Sequence, residues 1–232
     1  MATSGTYGFG PNLGSLFLSA FSRIQVKRTE LTPQHMEDAK NEANFMQAQW
    51  SNEGVQLWEQ DLQTFTMSPG VATYPVPANT VMVLDLYISP NAGNSQLTQN
   101  RLIYPFSRTD YASLAEPNEE GFPTSFFFLR TVNPTLTFWP VPDNNTTYQC
   151  SYWRYKQIQD AVPSQGGNAD LQYLFLDAYV AGLAHRLSRA YNPQLEALRK
   201  VDATEAFALA MKQNTENTAI FIQPGLSGYF RP

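Results

Sequence analysis

Hydrophobic positions along this chain keep one rhythm at both ends and another in the middle. In residues 12–25, Leu13, Leu16, Phe17, Ala20, Phe21 and Ile24 recur at steps of three and four, the apolar stripe of a short helix. Thr32-Pro33 then puts a capping residue before a proline at the first helical position, where the missing N–H has no partner to lose. Met36, Ala39, Ala43, Met46 and Trp50 follow at steps of 3, 4, 3 and 4, the seam of a helix that packs on another helix, with Gly54 as its stop. Between residues 62 and 156 the period falls to two. The segments 62–67, 73–76, 81–88, 100–107, 124–130, 135–139 and 146–155 are rich in Val, Ile, Thr, Phe and Tyr and are separated by Pro, Gly and Asn, which predicts strands. In the last of them Tyr148, Cys150, Tyr152 and Arg154 share one face, and Gln149, Ser151, Trp153 and Tyr155 share the other. Neither face is cleanly polar, so this strand is expected to be buried on both sides or to meet a neighbouring subunit.

Helix returns after residue 170. Asp170 is a candidate cap for a run carrying Leu171, Leu174, Phe175, Ala178, Ala181 and His185, with Ala178, Ala181, Gly182 and Ala184 small enough for close approach of a neighbouring helix. Asn192-Pro193 repeats the cap-plus-proline start, and Leu195, Leu198, Val201, Phe207, Ala208 and Met211 give the last helix its expected packed stripe. The remainder, NTENTAIFIQPGLSGYFRP, has no period and several breakers, and reads as an extended arm. The fold class predicted is α+β: a helical bundle of N-terminal helices and two C-terminal helices, interrupted by an antiparallel β-sheet or small β-sandwich. The divisions expected are 1–61, 62–156, 157–213 and the arm 214–232.

Composition narrows the function. Of 232 residues only 15% are charged, against about a quarter in an ordinary soluble domain, so much of the surface is uncharged polar or engaged with partners. A net charge of −5 argues against sequence-specific DNA binding, which needs a basic face. One cysteine and two histidines leave no disulfide framework and no Cys/His zinc cluster. The apolar N-terminal stretch lacks the basic start of a secretory signal, and no run is long enough for a membrane span, so a cytoplasmic, soluble chain is expected. Seven acids and one base in residues 30–61 give a net −6, a solvated helical face or a surface past which DNA slides without sticking.

Candidate chemistry is sparse. Tyr7-Gly8-Phe9-Gly10 lacks the preceding strand and following Lys-Ser/Thr of a phosphate loop and reads as a terminus. Glu116, Glu119 and Glu120 are the only candidates for a glycosidase acid pair, and in a turn they read as solvated. His35 reads as an exposed first-turn residue, His185 as a core histidine and Cys150 as a small buried hydrophobe. Trp139, Tyr148, Tyr152, Trp153 and Tyr155 allow two readings: a sugar-stacking platform, or the core of the β-region together with a subunit contact. The first would make this a carbohydrate-binding or glycan-hydrolysing protein. No catalytic, cofactor-binding or metal-binding residues are expected.

The order of the pieces carries a resemblance. The helix LTPQHMEDAKNEANFMQAQWSNEGVQLWEQ, then GVATYPVPANTVMVLDLYI, PTLTFWPVPD, TYQCSYWRYK, LQYLFLDAYVAGLAHRLSRAYNP and an arm beginning NTENTAIFIQPG resemble the head-to-tail adaptors of tailed bacteriophages, the head-completion, tail tubular protein A-like group. The resemblance covers nearly the whole chain except MATSGTYGFGPN. It implies a non-enzymatic virion protein at the head–tail junction, assembled in the host cytoplasm. Such a protein forms a homo-oligomeric ring, usually of twelve subunits, that binds the portal on one side and a tail or nozzle protein on the other. DNA passes through the lumen without sequence-specific contact, and no membrane is involved. It further implies a portal-docking arm anchored by Phe221, Ile222, Tyr229 and Phe230, and an acidic lumen face with Glu37, Asp38 and Glu42. Trp139, Pro140 and Pro142 would form a hairpin corner of the β-region, with prolines ending one strand and Asp143-Asn144 making the turn.

Overall fold

The computed structural model describes residues 5, 8–54, 59–91, 99–162, 167–212 and 214. Helix α1 spans Leu13–Arg23 and is capped by Asn12, whose Oδ1 accepts from the Ser15 N–H at 2.8 Å. Helix α2 spans Pro33–Asn52, starting at the Thr32-Pro33 signal. It stops where Glu53 closes the last turn and Gly54 takes φ +81°, a left-handed conformation that glycine adopts without a Cβ clash. A short helix α3, Arg108–Ala112, interrupts the strand region and has no hydrophobic period to announce it. Helices α4, Leu176–Tyr191, and α5, Glu196–Met211, each follow a single 3₁₀ turn.

Asp170 is not the cap of α4. The 3₁₀ turn begins at Tyr173, and the Asp170 carboxylate instead accepts from the Gln159 N–H at 3.3 Å. Leu174 is 47% exposed, so the buried stripe starts at Phe175 and continues through Ala178, Tyr179, Leu183 and Leu187. Helix α4 is central, packing against α1, α2 and α5, and these four helices share one hydrophobic core. The close approach expected of its small residues occurs at Gly182, where a Cβ would lie 2.6 Å from Met46 Sδ on α2.

Strands β1 (Gln60–Thr66), β2 (Thr73–Pro75), β3 (Thr80–Ser89), β4 (Arg101–Pro105), β6 (Ser125–Leu129), β7 (Thr135–Trp139) and β9 (Gln149–Lys156) form a curled seven-stranded sheet in the order β1-β9-β3-β4-β6-β7-β2. Two short strands, β5 (Glu120–Gly121) and β8 (Val141–Pro142), pair separately and in parallel. The sheet is not wholly antiparallel, because β4 and β6 run parallel, joined by a connection that contains α3 and β5. The two edge strands approach one another through side chains: Phe65 and Tyr74 have ring centroids 4.8 Å apart. Inside the curl a second core gathers Leu86, Ile88, Ile103, Phe126, Leu136, Phe138, Cys150 and Tyr152. Burying side chains such as Leu136 and Phe138 fully contributes about 1.5–3 kcal/mol each. The expected face of Cys150, Tyr152 and Arg154 in β9, with Tyr148 just before it, is buried.

The Trp139-Pro140-Val141-Pro142 segment is a corner but not a hairpin. The strands it links, β7 and β9, are not neighbours: β7 pairs with β6 and β2, and β9 with β1 and β3. The chain leaves β7 through a cis Trp139-Pro140 bond and forms β8 against β5. It then turns at Asp143, whose carboxylate accepts from the Asn145 N–H and the Tyr148 hydroxyl at 3.1 and 2.8 Å.

Candidate functional site

Among the described residues no cluster of His, Cys, Asp and Glu is arranged to hold a metal ion. Glu116, Glu119 and Glu120 have exposed side chains. Two of them act through their backbone instead: the Glu116 carbonyl accepts from Trp139 Nε1 at 3.1 Å, and the Glu119 carbonyl from the Val141 N–H at 2.8 Å. They brace the corner. Cys150 is fully buried, and burial holds its thiol far above the ordinary range, so it is a packing residue rather than a nucleophile.

The two histidines have structural surroundings. His35 is half-buried rather than exposed: its Nδ1 accepts from the Thr32 N–H at 3.2 Å, and its ring stacks on Tyr191 at 4.6 Å. His185 lies at the end of a groove beside Arg189 (3.4 Å) and Glu196 (3.8 Å). Burial, followed by the charge of Arg189, lowers its pKa below the ordinary value.

The five aromatics do not form one platform. Tyr148 and Tyr152 are inside the curl, and Trp139 and Trp153 lie on strands separated by β3, β4 and β6. Trp153 instead belongs to an open apolar area on the outer face of β1, β9 and β3. There Leu62 lies opposite Trp153, and Tyr155 opposite Met82. Leu62 is 41% exposed, Trp153 39% and Met82 43%. At the register shift in β3 after Val83 lies a hollow of about 590 Å³, lined by Gln60, Met82, Leu84, Asp85, Trp153 and Tyr155. On β4, Leu102 and Tyr104 add further exposed apolar surface.

The helical layer is open as well. Leu198, Val201 and Ala208, expected in the packed stripe of α5, face outward, whereas Ala206, Phe207, Ala210 and Met211 face the core. The helix is therefore rotated relative to the sequence expectation, and Leu198, Val201 and Leu209 are each more than half exposed. Phe45 on α2 is equally open. Between α2 and α5 a groove of about 420 Å³ has Ala178 and Gly182 as its floor, Met46, Trp50 and Phe207 as its walls, and Arg189 and Lys200 at one end. Exposed apolar side chains thus stand on both the helical and the sheet layer.

The acidic face of α2 is partly tied down. Asp38 accepts from the Tyr191 hydroxyl, and Glu42 pairs with Arg186 at 3.1 Å. Glu37, beside Lys40, keeps a side chain 67% exposed. The arm residues Phe221, Ile222, Tyr229 and Phe230 lie outside the described residues.

Residues 16–221 match the SU10 adaptor protein family, and the chain belongs to that family, a phage head–tail adaptor type whose members are structural virion components. The match begins after MATSGTYGFGPN, the stretch without a counterpart in the sequence resemblance. No curated protein matches the chain.

Proposed function

We propose that this adaptor forms a closed ring, of about twelve copies, that joins the portal to the tail and continues the channel through which DNA leaves the head. The observation that carries the reading is the pairing of family membership with apolar surface on two separate layers of one subunit. A ring subunit needs two different side surfaces, one for each neighbour, because ring contacts are heterologous. The outer face of α5 with Leu198, Val201 and Leu209 suits one of these, and the open face of β1, β9 and β3 suits a neighbour or the tail protein. The two separate cores support a helical unit of 1–61 with 157–213 and an inserted β-unit of 62–156.

Residues 214–232 form the arm that reaches the portal, with Phe221, Ile222, Tyr229 and Phe230 as anchors. On the lumen side, Glu37, Asp38 and Glu42 are the acids that repel DNA phosphates; all three have partners, Lys40, Tyr191 and Arg186, and Glu37 is the most exposed of them. The test is biolayer interferometry on immobilised portal with the full chain and with a chain ending at Asn217. The full chain is expected to bind, and the truncated chain to lose binding while keeping its circular dichroism. Equal binding by both chains would remove the arm from the account, and no binding by either would overturn the portal contact.

A further inference from the structure

The two edges of the curled sheet differ in how open they are to another strand. Strand β2 is three residues long and ends in Pro75, so it offers almost no free ladder. Strand β1 is seven residues long, and its register against β9 is unbroken from Gln60 to Thr66. Its sequence, QDLQTFT, holds no proline and no lysine, and its one charge, Asp61, is paired with Arg154. Bulge, proline and free charge, the usual means of blunting an edge, are all missing from β1.

The ladder shows which backbone groups this edge leaves open. The Met67 N–H donates to the Tyr148 carbonyl at 2.8 Å and so continues the β1–β9 pairing by one residue. Bonded pairs alternate in an antiparallel ladder, so Asp61, Gln63 and Phe65 turn their backbone groups to β9, and Gln60, Leu62, Thr64 and Thr66 turn theirs away. Among the described residues no backbone bond from outside the ladder reaches those four. Beside the edge, between β1 and β2, is a hollow of about 320 Å³ lined by Gln63, Thr64, Phe65, Tyr74 and Pro75. On the opposite face of β1 and β9, Leu62 and Trp153 are open. A strand added here would find apolar contacts on both of its faces.

One segment outside the described residues matches this edge in sequence and in reach. Residues 218–223, TAIFIQ, carry no charge and are rich in β-branched and aromatic side chains, and Pro224-Gly225 follows as a stop. The described chain ends at Asn214, whose Nδ2 donates to the Gly54 carbonyl at 3.1 Å. Gly54 precedes Gln60 by six residues, and Asn214 precedes Ile220 by six. Six residues span at most about 20 Å, so from this shared point an extended arm comes level with the start of β1 at about Ile220.

We propose that residues 218–223 add to β1 of their own subunit, parallel to it, as the eighth strand of a sheet that otherwise has seven. This pairing belongs to the free subunit and goes beyond the portal reading: Phe221 and Ile222 are held on the sheet until a partner takes the arm. Its failure would leave the portal contact untouched, because its test contains no portal.

The test is hydrogen exchange of the full chain, read residue by residue by electron-transfer fragmentation of the β1 peptide. In the wild type the Leu62, Thr64 and Thr66 amides are expected to exchange at least about 10-fold more slowly than in the full-length variant Ile220→Pro, Phe221→Pro, whose adjacent prolines remove donors from both alternating sides of the arm. The Gln63 and Phe65 amides, bonded to β9, are expected to be equally protected in both, and dilution is expected to leave the wild-type pattern unchanged. Wild-type Leu62, Thr64 and Thr66 amides that exchange at the rate of a free chain would overturn the pairing. So would equal protection in the proline variant, or protection that disappears on dilution and thereby belongs to a strand from another copy.

Discussion

Gly182 sits in the middle of α4 where it crosses α2, on the floor of the groove, and Met46 occupies the space next to it. A Cβ there would stand 2.6 Å from Met46 Sδ, closer than side-chain carbons come to sulfur without movement. In an open helix Gly→Ala stabilises by about 1 kcal/mol, since alanine restricts the unfolded chain and favours the helix. At this position overpacking a filled core works against it, by about 1–3 kcal/mol. Met46 is a wall of the groove whose floor is Gly182, so its flexible thioether can turn toward that space, which places the cost toward the lower end. The net expectation for Gly182→Ala is a loss of about 0–2 kcal/mol. The assay is urea unfolding of Gly182→Ala, Met46→Ala and the double variant. Met46→Ala alone should cost about 2–5 kcal/mol, and in the double variant the new methyl occupies vacated space, so the two changes should couple favourably by about 1–2 kcal/mol. A Gly182→Ala protein more stable by the full helix-propensity gain, with effects that simply add, would refute the close α2–α4 contact.

Arg154→Met should cost about 2–4 kcal/mol in chemical denaturation, because Arg154 is buried and leaves Asp61, three-quarters buried, without its cation. The Asp61 pKa is lowered: burial opposes the shift, but Arg154 and Gln63 hold the ionised form. Its stabilisation is therefore full above about pH 4 and is lost as pH falls through the depressed value, which an acid titration of wild type against Arg154→Met will show. Trp139→Phe keeps the ring but loses the bond to the Glu116 carbonyl, and should lower the unfolding free energy by about 1 kcal/mol without changing the circular dichroism spectrum. Leu198→Gln with Leu209→Gln should leave subunit stability within about 0.5 kcal/mol per site, since both side chains are exposed, while reducing the assembled fraction in sedimentation velocity.

Much of this fold is legible in the sequence because its elements carry their own punctuation. Thr32-Pro33, Gly54 and Asn192-Pro193 each act through local backbone chemistry and mark real boundaries. The seven strands of the sheet are legible because β-branched and aromatic runs alternate between proline and asparagine breaks. What was not legible depends on partners distant in sequence. Nothing local says that β4 and β6 run parallel or that β7 and β9 are strangers, so the Trp-Pro-x-Pro corner passes for a hairpin. The α5 stripe misleads because that helix has apolar residues on two sides, and only packing against α4 decides which is buried. Helix α3 is too short for a period, although Ser107 and Asp110 form a capping box that marks its start. The open face containing Leu62, Trp153 and Met82 exists only once three strands are set side by side. Glu59 and Lys156, 97 positions apart, meet for the same reason.

The most direct test of the adaptor account is native mass spectrometry of the full chain, alone and mixed with its portal. The account predicts one closed species of about twelve copies, formed alone or on the portal, and its loss in the Leu198→Gln, Leu209→Gln variant. Monomers that ignore the portal at every concentration would contradict it.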